Sequence, residues 1–148
     1  MLIGGGHANV QVLRKLCMNE YKGLNVILIS EENKSIYSGM TPGYINKFYS
    51  LEDISIDLQR LCFNAGATFI KDKVINLDNK NQIIHLNQNP SISYDALSIN
   101  SGSISNNQKI KFDKKSNVIS VKPISSLISK LNVIDNLIEK SSSQKISI

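Results

Sequence analysis

The 148-residue sequence lacks most of the features that would indicate a secreted, metal-binding or membrane-spanning protein. It has no tryptophan, three prolines and two cysteines, and Cys17 and Cys62 form no C-x-x-C pair. His7 and His85 have no cysteine or carboxylate partners at the intervals of a zinc site. No basic segment followed by an apolar run opens the chain, and no apolar run approaches membrane-spanning length. We therefore predict a cytoplasmic protein with buried free thiols, no metal site and no transmembrane segment.

The charge pattern argues against nucleic acid as a partner. The net charge of +5 comes from lysines scattered along the chain, and no run rich in lysine and arginine contains interleaved aromatic residues. A hydrophobic content of 41% with 20% charged residues is typical of a soluble globular chain. At this length the chain can form one domain with a substantial core.

The functional prediction depends on the start of the chain, where a short apolar segment leads into Gly4, Gly5 and Gly6. Apolar residues then recur at helical spacing over 10–18, and Gly23 is expected to stop that helix. Strand, glycine turn and helix follow one another in the same order in the βαβ unit that binds dinucleotides. There one glycine makes the tight turn and a second lets backbone amides approach the pyrophosphate at the helix N-terminus. Gly4 and Gly6 match the first two glycines of G-x-G-x-x-G.

The third glycine position of that pattern holds Asn9. Close packing of the helix against the strand then depends on the small side chain of Ala8, or the two elements lie further apart. His7 either donates to a phosphate or is an incidental loop histidine. A lone glycine pattern also occurs in ordinary strand-to-helix loops, but the strand-turn-helix context favours a nucleotide site.

A second strand is predicted at 25–30 from its continuous β-branched run. Its tip is the place where a dinucleotide fold carries the acid that binds the adenosine ribose. Ser30 occupies the tip, so the carboxylate is offset by one residue, and Glu31 is the predicted ribose contact. The alternative is that Glu31 and Glu32 are solvated glutamates at a strand end.

The rest of the chain alternates between irregular, helical and strand patterns. Residues 37–44 contain too many glycines and prolines for a regular helix and are too apolar for a solvated loop. A helix is expected in the second half of 52–66, capped by Asp53 or Ser55 and ended by Gly66. A hairpin is expected at 73–77 and 82–86, a strand at 94–99 and an amphipathic helix at 124–138. Together these patterns predict an α/β fold, a Rossmann-like domain with a parallel sheet and a small antiparallel β insertion.

Four stretches carry a resemblance to a known family. They are LIGGGHANVQVL at 2–13, YSGMTPGY at 37–44, IDLQRL at 56–61 and YDALSINSGS at 94–103. In this order they resemble the FAD-binding part of pyridine nucleotide-disulphide oxidoreductases. In particular, the sequence is similar to the NADH-dehydrogenase-like flavoproteins that occur alone or fused to selenide, water dikinase.

The resemblance implies FAD as the cofactor and a role for each matching position. Gly4, Gly6 and Ala8 would cradle the FAD pyrophosphate, and the neighbouring Gly5, His7 and Asn9 are also predicted to bind the cofactor. Ser30 and Glu31 would lie near the adenosine ribose, and Val74 would present backbone groups to the adenine. Gly39, Met40 and Pro42 would lie along the flavin, and Ser101 and Gly102 would match the Thr-Gly of an Ala-Thr-Gly turn. The departures are Asn9, Ser30 in place of an acid, and Asn100-Ser101 in place of Ala-Thr.

Two parts of that family's pattern are missing from the sequence. No redox cysteine pair is present, and no second glycine pattern for NAD(P)H follows 146–148. The expected organisation is an FAD-binding domain at 1–140 that is incomplete at both ends. A linker and the first strand of an NAD(P)-binding domain would follow at 141–148. NAD(P)H would then bind only if a second domain or a partner chain is supplied.

The leading interpretation is the FAD-binding portion of an NAD(P)H-dependent flavoprotein oxidoreductase in which the flavin carries the electrons. The alternative is a non-catalytic remnant or nucleotide-binding module that needs a partner chain. A simple NAD(P)-binding Rossmann domain is disfavoured, because such a domain needs neither the insertion at 73–86 nor the segment at 37–44.

Overall fold

The computed structural model describes residues 1–19, 21–105 and 119–140. The chain divides into two compact units, Met1–Gly102 and Ser103–Ile148. The strands are β1 (Leu2–Ile3), β2 (Ile27–Ser30), β3 (Lys34–Ile36), β4 (Ser55–Asp57), β5 (Thr68–Lys71), β6 (Val74–Asp78), β7 (Ile83–Leu86), β8 (Ile92–Ser93) and β9 (Ser98–Ile99). The helices are α1 (His7–Met18), α2 (Thr41–Ile45), α3 (Leu58–Asn64) and α4 (Ile124–Lys140). The linker and strand predicted at 141–148 lie outside the described residues.

The first unit is built on a four-stranded sheet in the order β5-β2-β1-β9, and each neighbouring pair runs parallel. Strands β2 and β5 lie on one side of β1, and β9 lies on the other. This is the order of the first half of a doubly wound nucleotide-binding fold. The predicted Rossmann-like α/β class, with its parallel sheet, is confirmed.

The core of this unit occupies both faces of the sheet, because neighbouring residues of a strand point to opposite faces. On one face Leu28 packs against the helices α1 and α3, and on the other Ile29 packs against β7. The fully or nearly fully buried residues of the helical face are Leu2, Val10, Leu13, Leu28, Leu58 and Cys62. Burying each such leucine contributes about 2 kcal/mol relative to leaving it exposed. The sheet is thus held between a helical layer and the antiparallel strands.

The predicted antiparallel insertion is confirmed. Strands β6 and β7 pair from Val74 opposite Leu86 to Asp78 opposite Ile83, with a register shift between Val74 and Asn76. Strand β8 adds a third member to this sheet and was not predicted. It is only two residues long and follows Pro90, so its sequence has too few alternating positions to indicate a strand.

The structure corrects the prediction for residues 52–66. Ile56 lies in β4, which pairs with β3 in an antiparallel ladder, so the helix begins only at Leu58. Its cap is Asp57, whose Oδ1 accepts a hydrogen bond from the N–H of Arg60 at 2.9 Å. The prediction of Asp53 or Ser55 was therefore wrong. Gly66, with φ of +64°, follows the helix end as expected.

Residues 37–44 are more regular than predicted. A short 3₁₀ turn at Ser38–Met40 runs directly into α2. Pro42 lies in the first helical turn, where the missing N–H costs nothing. The segment forms no single regular helix, as predicted, but it contains two short helical turns that the sequence did not indicate.

Two further details differ from the predictions for the first helix and the cysteines. Helix α1 starts at His7, earlier than the expected residue 10, and ends at Met18, well before Gly23. Cys17 is exposed on this helix, so only Cys62 is the buried free thiol that was predicted.

In the second unit the described residues contain helix α4, which confirms the helix predicted at 124–138. Pro123 precedes it, and the carbonyl of Pro123 accepts from the N–H of Leu127 at 3.2 Å.

Candidate nucleotide-binding site

The candidate site lies beside β1, where the order of strands in the sheet reverses: β2 and β5 are added on one side of β1 and β9 on the other. Leu2 pairs with Ser98 and Ile3 with Ile99, so β1 and β9 end side by side. Gly4 and Asn100 therefore leave the sheet at the same edge. In open α/β sheets, ligands bind in the crevice outside the carboxyl ends of the strands at this switch point.

The glycine turn, Gly4 to Gly6, is packed closely against the segment after β9. Gly4 has φ of +84°, and a Cβ there would lie 2.5 Å from the carbonyl oxygen of Asn100 and from the Cα of Ser101. The N–H of Gly6 donates to the Asn100 carbonyl at 2.9 Å, and a Cβ on Gly6 would overlap the side chain of Asn100. A Cβ on Gly5 would overlap the side chain of Leu58. Backbone contacts within the protein therefore require glycine at Gly4 and Gly6, whereas a Cβ at Gly5 would require the side chain of Leu58 to move.

Asn9 joins α1 to the ends of β1 and β9. It is fully buried, and its Nδ2 donates to the carbonyls of Ile3 at 3.0 Å and Gly4 at 2.8 Å. Its Oδ1 accepts from the hydroxyl of Ser98 at 2.7 Å. Of the two alternatives, packing through Ala8 was wrong, because Ala8 is exposed and Asn9 itself fills the space between helix and strands.

The N-terminus of α1 is only partly free to bind a ligand. The first N–H groups of a helix have no intrahelical acceptor, and they give that end a partial positive charge. The N–H of Ala8 donates to Oδ1 of Asn100 at 3.0 Å. The N–H groups of Gly5 and His7 have no hydrogen-bond acceptor in the described part of the chain. Two donors thus remain at the site for an anion.

His7 connects the glycine turn to the segment at 37–44. Its ring centroid lies 5.2 Å from that of Tyr37 at an interplanar angle of 31°, and its Nε2 lies 3.3 Å from Nε2 of Gln11. Gly39 packs on the Tyr37 ring, because a Cβ there would lie 3.1 Å from the ring. The structure thus brings His7 and Gly39 towards the same aromatic side chain.

The other predicted residues of that segment lie in or next to α2. Met40 is half-buried and Pro42 is exposed. Thr41, between them, is buried, and its hydroxyl has no hydrogen-bond partner among the described residues. Sequence reasoning did not single out Thr41, because a threonine in such a segment carries no pattern of its own.

The residues predicted to contact the adenosine lie near the ends of β2 and β5. Ser30 pairs with Lys71, and its hydroxyl accepts from the N–H of Glu32 at 3.3 Å. Glu31 is exposed, with a carboxylate oxygen 3.8 Å from Nζ of Lys73. Such an exposed pair contributes well under about 1 kcal/mol, so the carboxylate remains accessible to a ribose. Val74 is half-buried and begins β6 directly after Lys73.

A buried carboxylate next to this region was not predicted. Asp72 accepts hydrogen bonds from the backbone N–H groups of Lys73, Gln88 and Asn89 and from the side-chain amide of Asn89. Burial raises the pKa of this carboxyl, but the hydrogen bonds together hold the pKa below its ordinary value. Asp72 therefore fixes the turn before β6 to the loop after β7. It has no sequence signal beyond an aspartate in a turn.

Ser101 and Gly102 follow Asn100, and both are exposed. Gly102 has φ of +85°, and no atom lies within 4 Å of the place where a Cβ would be. Glycine is favoured there by the backbone conformation, and the space beside it is open.

Other kinds of site find no support in the residues described. No group of three or more histidine, cysteine or acidic side chains there is arranged to hold a metal ion. None of the helices in those residues has the length and apolarity that a membrane span requires.

Comparison with known proteins gives matches of fold only. No protein-family model matches the chain, and no curated protein matches its sequence. A sulfide:quinone oxidoreductase from Aquifex aeolicus matches 92% of this chain with a TM-score of 0.73 at 21% identity. An NADH:rubredoxin oxidoreductase from Clostridium acetobutylicum matches 91% with a TM-score of 0.70 at 22% identity. NDH2 from Plasmodium falciparum, solved in complex with NADH, matches 99% with a TM-score of 0.74 at 18% identity.

The chain has the fold of part of each of these proteins. It spans 31%, 35% and 30% of their respective lengths. Two of the three are oxidoreductases by name, and the third was solved with a nicotinamide nucleotide bound. The shared fold agrees with the resemblance of the sequence to pyridine nucleotide-disulphide oxidoreductases.

Proposed function

We propose that residues 1–102 form the FAD-binding part of an NAD(P)H-dependent flavoprotein oxidoreductase related to the NADH-dehydrogenase-like flavoproteins. The observation that carries the proposal is the glycine turn at the switch point of the parallel sheet, in contact with the segment after β9. The similarity of fold to two named oxidoreductases supports the same class of reaction.

The residues at the switch point fit a dinucleotide. The N–H groups of Gly5 and His7 point to a role in holding a diphosphate at the positive end of α1. The exposed carboxylate of Glu31 suits a ribose hydroxyl at the neighbouring strand end. The open space at Gly102 leaves room for a ligand against the backbone.

When bound, the flavin would accept a hydride and pass the electrons on, and the protein would supply binding, orientation and electrostatics. Residues 37–44 would flank the flavin, held in place by the contact between Tyr37 and His7. We propose that NAD(P)H is held by a further domain or a partner chain. The fact that this chain spans 30% of NDH2, which was solved with NADH, supports that arrangement. Two cysteines without a disulfide suit a cytoplasmic location.

A second candidate function is a nucleotide-binding module without catalysis. It is favoured by the hydrogen bond from the Ala8 N–H to Asn100, which occupies a donor that a diphosphate would use. This candidate would be favoured if the chain binds FAD but NADH does not reduce the bound flavin, even after addition of the domain or partner chain that holds NADH.

Calorimetric titration with FAD, FMN and NADH tests the proposal. We expect FAD to bind more tightly than either of the others, because the glycine turn and the strand ends define one elongated site. Two glycines offer a matched pair of variants, since Gly102 and Gly23 both have positive φ and open space around the missing Cβ. Gly102→Ala should weaken FAD binding about tenfold or more, whereas Gly23→Ala should leave it unchanged.

Both variants should lose similar stability, because both force a left-handed backbone on a residue with a Cβ. Tighter binding of NADH than of FAD would contradict the proposal. An equal effect of the two alanine substitutions on FAD affinity would also contradict it, since Gly23 lies in the loop between α1 and β2.

A further inference from the structure

Asn100 makes three hydrogen bonds that join three elements at the switch point. Its N–H donates to the carbonyl of Ile3 at 2.8 Å, and its carbonyl accepts from the N–H of Gly6 at 2.9 Å. Its side-chain Oδ1 accepts from the N–H of Ala8 at 3.0 Å. The backbone bonds hold β9 and the glycine turn together, whereas the side-chain bond reaches the first turn of α1.

The side chain of Asn100 lies over the glycine at which a diphosphate is expected to approach the backbone. A Cβ built on Gly6 would overlap Oδ1 and Cγ of the Asn100 side chain as well as the backbone carbonyl oxygen of Asn100. The space that glycine leaves in the turn is therefore shared between the side-chain amide and the backbone carbonyl of Asn100. The same side-chain oxygen therefore lies beside Gly6 and accepts the hydrogen bond from Ala8.

The chemistry of this arrangement resembles that of a bound anion. An acceptor oxygen takes an N–H group at the positive end of a helix, which is the interaction that a phosphate oxygen makes. The amide is neutral, so it gains less from the helix dipole than a phosphate would. Nδ2 of Asn100 has no hydrogen-bond acceptor in the part of the chain that the structure describes. Rotating the side chain away therefore breaks one hydrogen bond only.

We propose that Asn100 is an affinity-determining residue whose side chain occupies the diphosphate position in the unliganded protein and is displaced when the dinucleotide binds. The inference rests on the proposed function, because it concerns the same site. It implies that this chain binds FAD more weakly than a variant without the amide. It also implies that the N–H of Ala8 exchanges its acceptor from Asn100 to a phosphate oxygen on binding.

Two substitutions at this position give opposite expected results in calorimetric titration with FAD. Asn100→Ala frees the Ala8 N–H and removes the amide group beside Gly6, so FAD should bind about tenfold more tightly, the equivalent of about 1.4 kcal/mol. Asn100→Asp keeps an acceptor for the Ala8 N–H but places a negative charge at the diphosphate position, so FAD should bind at least about tenfold more weakly. Asn64→Ala, at the exposed end of α3, is the control and should not change the affinity.

A second measurement follows the hydrogen bond itself. In ¹⁵N–¹H spectra of the wild-type chain, FAD should shift the backbone amide of Ala8 and the side-chain amide of Asn100 together. In Asn100→Ala the Ala8 amide of the free protein should exchange with solvent faster, because it has lost its acceptor. If Asn100→Ala does not fold, Asn100→Asp and the wild-type spectra still test the inference.

The possible outcomes separate the two proposals. If the wild type binds FAD and Asn100→Ala binds it equally or more weakly, the inference is overturned and the proposed function still stands. The inference is also overturned if Asn100→Asp binds FAD as tightly as the wild type does, or if FAD does not shift the amide resonance of Ala8. Absence of FAD binding by the wild type and every variant would overturn the proposed function and the inference together.

Discussion

Replacement of Asn9 by alanine should destabilise the protein strongly, although sequence patterns place only a glycine at this position. The side chain is fully buried and makes three hydrogen bonds, to the carbonyls of Ile3 and Gly4 and with the hydroxyl of Ser98. Asn9→Ala removes all three and leaves the hydrogen bond between Ala8 and Asn100 and the apolar contacts to join α1 to the sheet.

The magnitude follows from the bonds that are lost. A hydrogen bond inside a protein contributes about 1 kcal/mol net, so three account for about 3 kcal/mol. The carbonyl of Ile3 keeps a partner in the N–H of Asn100, whereas the carbonyl of Gly4 has no other donor among the described residues. Because a domain of this size has a total stability of about 5–15 kcal/mol, a loss of about 3 kcal/mol is readily measured.

Urea unfolding followed by circular dichroism is the assay. With a slope of about 2 kcal/mol/M, the midpoint should fall by about 1.5 M. Ser98→Ala removes one of the same bonds and should cost about 1 kcal/mol. The double variant should cost about as much as Asn9→Ala alone, since the shared bond is then counted once. A midpoint shift below about 0.5 M for Asn9→Ala, or strict additivity of the two substitutions, would refute this reasoning.

Two further predictions concern a hydroxyl and a thiol. Thr41→Val removes a buried hydroxyl without a partner among the described residues, so the free energy of unfolding should rise by about 1 kcal/mol in urea denaturation. Thr41→Ser should not raise it, and a loss of stability in the valine variant would mean that the hydroxyl is bonded. Burial, with a smaller contribution from Cys17, raises the pKa of Cys62 to about 11. Near about pH 8, Ellman's reagent should therefore label only the exposed Cys17 in the folded protein and both thiols in urea, and fast labelling in a Cys17→Ser variant would contradict this.

The parts of the fold that sequence predicted are those with local causes. The strand, glycine turn and helix at the start of the chain follow from a short apolar run, three glycines and a helical period. The hairpin of β6 and β7 follows from two apolar strands around a turn in which Oδ1 of Asp78 accepts the N–H groups of Lys80 and Asn81. These signals lie within a few residues of the structure they specify.

The parts that sequence did not predict depend on partners far along the chain. Ile56 fits a helical face as well as a strand, and its pairing with Ser35 decides for the strand. The bond between Ala8 and Asn100 joins residues 92 positions apart, and that between Asn9 and Ser98 joins residues 89 apart. No period or motif links such pairs, so the roles of Asn9 and Asn100 emerge only from the folded chain.

Asn9 and Asn100 provide hydrogen-bond partners within the protein for most of the polar groups of the glycine turn. The same bonds that stabilise the folded chain therefore oppose the binding of a ligand at the site. Asn9 bonds the carbonyl groups of the turn, and Asn100 takes the N–H groups of Gly6 and Ala8. A helix cap of this kind contributes about 1 kcal/mol, and a diphosphate that uses the Ala8 N–H must first break it. Removing the cap therefore costs stability in the free protein and favours the bound state by a comparable amount. For variants at position 100 that leave no acceptor for the Ala8 N–H, unfolding free energy and FAD affinity should change in opposite directions.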